Sequence, residues 1–137
     1  MNGQAPIGVL LVTHGRLGEE LLEAARTIVG DIQHMSFLSI GWNDEVEASR
    51  TKIAESVRSV DSGRGVIILT DMFGGTPSNL SLPLLRKDHV EIVTGVNLPM
   101  VIKLANQGAE ESLAELARKV RDQGQRHISI ASELLGE

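Results

Sequence analysis

The chain has 137 residues, a formal net charge of −5 and a hydrophobic content of 42%. This length and this hydrophobic content fit one domain, 1–137, with a buried core, and they argue against intrinsic disorder. The acidic charge and the 2% aromatic content argue against nucleic-acid partners, whose backbone attracts cations and whose bases stack on aromatic rings. The absence of cysteine excludes disulfides, thiolate zinc sites and cysteine nucleophiles.

The amino-terminal residues 1–6 contain neither a basic region nor the start of a long apolar run, so we expect no signal peptide. No apolar stretch approaches the roughly 20 residues that a membrane-spanning helix needs. We therefore expect a cytoplasmic protein that does not insert into a membrane.

The first half of the chain alternates between apolar runs and helical periodicity. A continuous apolar run predicts a buried strand at 7–12, and a helical stripe from Leu17 to Ile28 follows it, closed by Gly30. Segment 35–40 is the next strand candidate. A second helical stripe, between 46 and 60, precedes another buried apolar run at 66–69.

The same alternation continues in the second half. Thr76 and Pro77 are typical of an N-cap followed by proline at the first helical position. Segment 90–93 predicts the fourth strand, and Asn97 is the predicted cap of a short helix. A last clear helix ends near Gly124, and the alternating residues at 128–130 predict a short final strand.

This order of elements predicts an α/β fold. We expect three α-β-α layers around a mostly parallel, flavodoxin-like sheet with strand order 2-1-3-4. The short carboxyl-terminal strand is expected to run antiparallel. Open parallel sheets bind ligands at the carboxyl ends of their strands, where the strand order reverses. In this sheet that point lies between the first and third strands.

A histidine and an aspartate follow these two strands. His14 ends the first strand and Asp71 follows the third, so both should lie at the same edge of the sheet. A carboxylate that accepts the N–H of a neutral imidazole fixes its tautomer and presents the other nitrogen as a nucleophile. The same carboxylate would stabilise the positive ring that phosphorylation produces.

The residues after Asp71 favour an anion beside that imidazole. Gly74 and Gly75 allow backbone amides to approach an anion closely, and the helix that starts at Thr76 and Pro77 favours negative charge. Phosphoryl transfer depends on positioning and charge stabilisation. This scheme needs no metal and no cofactor.

The remaining candidates are weaker. His34 and His89 precede their strands and should lie at the opposite edge as solvated or turn residues. His127 would approach the active edge only if the last strand is antiparallel. Trp42 follows the second strand at the correct edge, and we expect it to pack beneath a loop, with a place on a partner surface as the alternative.

Two further features lie near the expected site. Arg16 would steer phosphate or, more simply, be solvated at a helix start. Met72 and Phe73 form an apolar loop tip beside the reactive residues, which suggests a protein docking surface or a partly buried anchor.

Three motifs together resemble a known family. They are VTHG at 12–15, LTDMFGGTP at 69–77 and GVNLPM at 95–100. In order and spacing they are similar to those of the EIIA domain of mannose/fructose/sorbose-type phosphoenolpyruvate-dependent sugar phosphotransferase systems. The resemblance spans nearly the whole chain, from Ile7 to about Ile130.

The resemblance implies a role for each matching residue. His14 would accept the phosphoryl group through Nε2, and Asp71 would hold the other ring nitrogen. The residues implied to shape the phosphate site and its rim are Thr13, Phe73, Gly74, Gly75, Thr76 and Asn97. The donor would be phosphorylated HPr and the acceptor a IIB protein, with membrane sugar permease subunits as indirect partners. The resemblance also implies a homodimer that exchanges the final strand.

The sequence departs from the family pattern in two respects. Many members continue through an Ala/Pro-rich linker into a IIB domain, whereas this sequence stops at Glu137, so we expect a separate IIB acceptor. The pair Met72-Phe73 also differs from the Thr-Trp of a mannose-specific member, which leaves partner choice open.

Three alternatives remain. The chain would be the phosphoryl-donor subunit for a dihydroxyacetone kinase, a regulatory protein gated by phosphorylation, or a small-molecule or nucleotide-binding module. Neither a Walker lysine motif nor a G-x-G-x-x-G fingerprint opens the first helix, which disfavours nucleotides.

Overall fold

The computed structural model describes residues 5–108 and 110–137. Residues 1–4, within the segment predicted to carry no signal peptide, lie outside the described part, as does residue 109. Among the helices of the described ranges, none combines the length and the apolar character that crossing a bilayer would need.

Four parallel strands form one sheet in the order β2-β1-β3-β4. This order and direction confirm the predicted topology. The strands are rich in branched apolar residues, which favour extended structure, and β1 and β3 are buried along almost their whole length. Their bounds are β1 Gly8–His14, β2 Met35–Ile40, β3 Val66–Thr70 and β4 Val90–Thr94.

Helices cover both faces of the sheet. Thr76 is the first residue of α3 and Gly75 its N-cap, so the predicted cap is displaced by one residue. Asn97 caps α4 as predicted, its side chain accepting the Met100 N–H. The helices are α1 Leu17–Val29, α2 Val46–Val60, α3 Thr76–Ser81, α4 Leu98–Ala105, α5 Leu113–Arg126 and α6 Ala131–Leu134, and a 3-10 turn at Leu82–Leu84 follows α3.

The core consists of two apolar layers, one on each face of the sheet. Alternate residues of β1 contribute to both layers. Val9 and Leu11 pack against α1, α4 and α5, whereas Leu10 and Val12 pack against α2 and α3. Burial of apolar surface is the main term that stabilises such layers, at roughly 25 cal/mol per Å². The predicted three-layer architecture is therefore confirmed.

The predicted carboxyl-terminal strand is wrong for the single chain. Residues 128–130 belong to no strand or helix, and Ile128 and Ile130 are 78% and 62% exposed. The alternating pattern predicts an apolar strand face, but such a face stabilises a strand only where a neighbouring strand or core covers it. The short helix α6, which the sequence pattern did not predict, follows this segment.

Candidate functional site

The parallel register brings the ends of β1 and β3 together. Val12 of β1 is opposite Thr70 of β3, so His14 and Asp71 leave the sheet at the same edge. His14 Nδ1 lies 2.7 Å from Asp71 Oδ2, and the backbone N–H of His14 donates to the same oxygen at 3.1 Å. One carboxylate oxygen therefore holds both the ring and the main chain of His14.

This geometry determines which ring nitrogen of His14 is basic. Burial alone would raise the pKa of Asp71, but hydrogen bonds from the ring and backbone of His14, together with the attraction between the two groups, hold that pKa below its ordinary value of 3.8. Asp71 is therefore ionised at neutral pH and can only accept hydrogen bonds. The Nδ1 atom must carry the proton, which leaves the lone pair on Nε2.

The pair is accessible on one side only. The side chain of His14 is 35% exposed, whereas that of Asp71 is 12% exposed. Among the described residues no group pairs with the buried Asp71 Oδ1. The carboxylate thus lies behind the imidazole, and the imidazole meets the solvent.

Thr13 supports the site from beneath. Its side chain is fully buried, and its hydroxyl oxygen accepts the N–H of Gly18 at 2.7 Å in the first turn of α1. Thr13 therefore fixes the sharp turn after β1 that leaves His14 at the surface. Arg16, at the same turn, is paired with Glu19 in the solvent.

The loop after β3 brings Gly75 against the imidazole. A Cβ atom at Gly75 would lie 2.7 Å from His14 Cε1 and 3.3 Å from Nε2, closer than ordinary contact. The backbone of Gly75 is extended, with φ −82°, so steric space and not conformation demands glycine here. Gly75 therefore packs against the ring itself, and the approach of its amide to an anion stays a prediction.

Ser78 holds this loop, and the sequence analysis missed it. Its buried hydroxyl donates to Gly75 O at 3.2 Å, and its oxygen accepts the Gly74 N–H at 3.0 Å. The Gly74 amide is therefore engaged within the loop. The available signal was a serine in the first turn of a helix, where hydroxyls commonly bond to nearby backbone groups.

Asn97 is not brought to the imidazole by any described contact. Besides capping α4, its amide group donates to Gly124 O of α5 at 3.1 Å. Both functional ends of the side chain are thus used to join α4 and α5. Phe73 and Met72 are exposed on the loop tip, 70% and 56% respectively, as expected for that segment.

A cavity of about 240 Å³ opens beside His14. Trp42 borders it, with its ring centroid 6.3 Å from that of the imidazole and the planes tilted by 41°. The expected packing of Trp42 beneath a loop is wrong, because the residue is 96% exposed. The remaining lining residues are Gly15, Ile40, Gly41, Asp44, Val46, Ser49, Thr76 and Leu80.

The other three histidines serve local structure. His34 lies in the bend before β2, half-buried, and its Nε2–H donates to Leu104 O at 2.9 Å. The expected position in a turn is confirmed, whereas full solvation of the ring is not observed. His89 and His127 are exposed, and each bonds a nearby backbone carbonyl. Among the described histidines, only His14 has a carboxylate against its ring.

Comparisons with known proteins agree with this arrangement. The chain is 30% identical over 98 residues to the mannose-specific EIIAB component of the phosphotransferase system (PTS) of Escherichia coli (strain K12), which covers 71% of this chain but only 30% of that protein. The chain thus spans less than a third of the length of that relative.

Two solved structures share the fold over nearly their whole length. The mannose/sorbose-specific IIA subunit of Enterococcus faecalis has a TM-score of 0.82 at 27% identity, covering 92% of this chain and 95% of its own. The PTS IIA protein associated with the fucose utilization operon of Streptococcus pneumoniae has a TM-score of 0.85 at 25% identity, covering 98% and 99%.

The chain also matches a protein family. Its sequence model, EIIA-man, described as the PTS system fructose IIA component, matches residues 8–121, which include all of the strands and the His14–Asp71 pair. This chain therefore belongs to the EIIA-man family of phosphotransferase-system components.

Proposed function

We propose that this chain is a histidine phosphocarrier, which receives a phosphoryl group on His14 Nε2 from phosphorylated HPr and passes it to a IIB protein. The observation that carries the proposal is the 2.7 Å contact between His14 Nδ1 and Asp71 Oδ2. It leaves the unprotonated nitrogen on the side of the ring away from the carboxylate. Family membership supplies the reaction class.

The transfer balances without a co-reactant. The lone pair of His14 Nε2 attacks the phosphorus of the donor phosphohistidine, and the donor P–N bond breaks with its electron pair returning to the donor nitrogen. The Nδ1 proton stays on His14, where Asp71 stabilises the positive ring. Transfer to the acceptor is the same step in reverse, with the acceptor nucleophile attacking.

The experiment that tests this function is a phosphotransfer assay. Incubation with phosphoenolpyruvate, enzyme I and HPr should place one acid-labile phosphate on each chain. Labelled chain should then be mixed with a IIB protein or with the nucleotide-bearing subunit of a dihydroxyacetone kinase. Preferential transfer to the kinase subunit would select that alternative acceptor, and the absence of label from the chain would refute the carrier function.

The contact between Gly75 and the imidazole leads to a first prediction. We expect Gly75→Ala to slow phosphorylation by on the order of 10²-fold, because the new methyl group would displace the ring and small misplacements of reacting groups have effects of this size. The measurement is the rate of label incorporation, with circular dichroism to establish that the variant is folded.

The adjacent Gly74 supplies a matched control. It has φ +87° and open space around its missing Cβ, so Gly74→Ala should lower stability by about 1–2 kcal/mol through backbone strain while leaving the ring in place. If both alanine variants slowed labelling equally, the steric role of Gly75 would be refuted.

We also propose that the chain forms a homodimer by exchanging residues 128–130. Apart from one bridge between Arg86 and Val90, no described residue pairs with the outer edge of β4, and a cavity of about 440 Å³ lies between β4 and α5. An open strand edge invites pairing by another chain, and Ile128 and Ile130 present apolar side chains that such pairing would bury.

Sedimentation measures this assembly. The wild-type chain should sediment as a dimer and the double variant Ile128→Glu, Ile130→Glu as a folded monomer, because two buried carboxylates would be too costly. The control is Leu134→Glu in α6, another exposed apolar residue, which should remain dimeric. A monomeric wild type at micromolar concentration would contradict the proposal.

A further inference from the structure

Trp42 is exposed to an extent that is unusual for its size. It lies in the loop between β2 and α2, where Asp44 Oδ2 accepts the Gly41 N–H at 2.8 Å, and the residue is 96% exposed. Tryptophan has one of the largest apolar surfaces of any side chain and is enriched among residues that dominate binding energy. Among the described aromatic rings, the indole pairs with the His14 imidazole.

The position of Trp42 beside His14 indicates which kind of protein would cover the indole. Its ring and the His14 imidazole border the same cavity of about 240 Å³, together with the apolar side chains of Ile40, Val46 and Leu80. A protein that brings its own phosphorylated side chain within bonding distance of His14 Nε2 must place its surface over this opening. Such a partner therefore contacts Trp42 in every productive complex.

The charges beside the indole indicate the chemistry of that partner. Segment 41–50 contains Asp44, Glu45 and Glu47, all exposed, and one cation, Arg50, which pairs with Glu47 at 3.0 Å. Three negative charges and one positive charge leave this segment with a formal net charge of −2. A donor that approaches with a phosphoryl dianion meets this negative rim. Basic side chains around the donor's reactive group would neutralise the phosphoryl dianion and the acidic rim, and they would steer the encounter of the two proteins.

We propose that Trp42 is the anchor of the docking surface for the phosphoryl-donor protein. The donor face is apolar where it covers Trp42 and the cavity, and basic around that contact. This inference rests on the proposed carrier function of His14. It adds a residue that acts in recognition of the protein substrate and not in the chemical step.

The test compares steady-state phosphorylation of three variants with phosphorylated HPr as the donor. Trp42→Ala should raise the KM for the donor by about tenfold, as expected for truncation of an anchor residue, with kcat within about twofold of wild type because the chemical groups are unchanged. Trp42→Phe should restore most of the affinity. Ile28→Ala, at the far end of α1 and 60% exposed, is the matched control and should leave both constants unchanged.

Salt provides a second readout. The KM of the wild type should rise with ionic strength, because screening weakens the attraction between the acidic rim and a basic donor face. The double variant Glu45→Gln, Glu47→Gln should flatten this dependence while keeping the apolar contact.

Several outcomes would overturn the inference. An unchanged KM in Trp42→Ala would remove Trp42 from docking, and a fall in kcat alone would assign it to the chemical step. A change in sedimentation of Trp42→Ala would mean that a second copy of this chain covers the indole. In each case the wild type still becomes labelled, so the carrier function stands; a wild type that accepts no label refutes the carrier function itself.

Discussion

Replacing His14 with alanine should abolish phosphoryl acceptance, because no other histidine combines an exposed ring with a carboxylate partner in the described structure. Loss of the nucleophile leaves nothing to form the P–N bond, so labelling should fall below detection. The fold should persist, since the ring is partly exposed and contributes little to either apolar layer. Label incorporation from phosphoenolpyruvate through enzyme I and HPr measures the effect.

The remaining histidines supply controls for this variant. His34→Gln, His89→Gln and His127→Gln should each accept phosphate at close to the wild-type rate, because these rings bond to backbone carbonyls. Of the three, only His34→Gln should lower the free energy of unfolding, because it alters the partly buried hydrogen bond from the His34 ring to Leu104 O of α4. Residual label in His14→Ala, or its loss in any of the three controls, would show that the acceptor is misassigned.

Replacing Asp71 with asparagine should slow phosphorylation by on the order of 10²-fold or more without abolishing it, since loss of the group that orients a catalytic imidazole has effects of this size. The amide oxygen can still accept from Nδ1, so the ring remains near its place. The negative charge that enforces the tautomer and stabilises the phosphorylated ring is lost. Single-turnover rates with excess phosphorylated HPr measure the chemical step.

The control for this variant is Asp61→Asn. Asp61 follows α2 at the opposite edge of the sheet and accepts two backbone N–H groups, those of Gly63 and Gly65. Its substitution removes a carboxylate and local hydrogen bonds but leaves His14 untouched, so the rate should be unchanged. Equal rates in Asp71→Asn and the wild type would remove Asp71 from the mechanism.

The stability of the fold should depend on Asp71 at acid pH. The pKa of Asp71 is held below its ordinary value of 3.8 in the folded chain, so the folded state favours the ionised form. This contribution is complete above the pKa of the unfolded chain and is lost as the pH falls through the lower folded value. Urea unfolding below about pH 4 should therefore show the wild type converging in stability with Asp71→Asn.

The fold and the central pair could be predicted because they depend on patterns that tertiary packing rarely overrides. Continuous apolar runs in β1 and β3 require burial on both faces, and alternation with helices then leads to parallel strands. Once the strand order is known, the residues that follow β1 and β3 must meet. Topology alone therefore places His14 and Asp71 at the same edge of the sheet.

The parts that escaped prediction depend on contacts that a one-dimensional pattern does not contain. Thr13 and Asn97 belong to the motifs that resemble the family. The Thr13 side chain nevertheless accepts a hydrogen bond from the Gly18 N–H, and the Asn97 side chain donates one to Gly124 O. Trp42 was expected beneath a loop because large apolar residues are usually covered within their own chain. Residues 128–130 have the pattern of a strand, but no residue in the described ranges pairs with them.

The sole tryptophan of the chain lies 6.3 Å from the ring that we propose to be phosphorylated. Its fluorescence therefore originates entirely from the mouth of the site. Indole emission responds to nearby charge and to the departure of water, so arrival of a phosphoryl group and coverage by a partner should each alter intensity or wavelength. Stopped-flow recording of this native signal would resolve docking and transfer in real time, without any added dye.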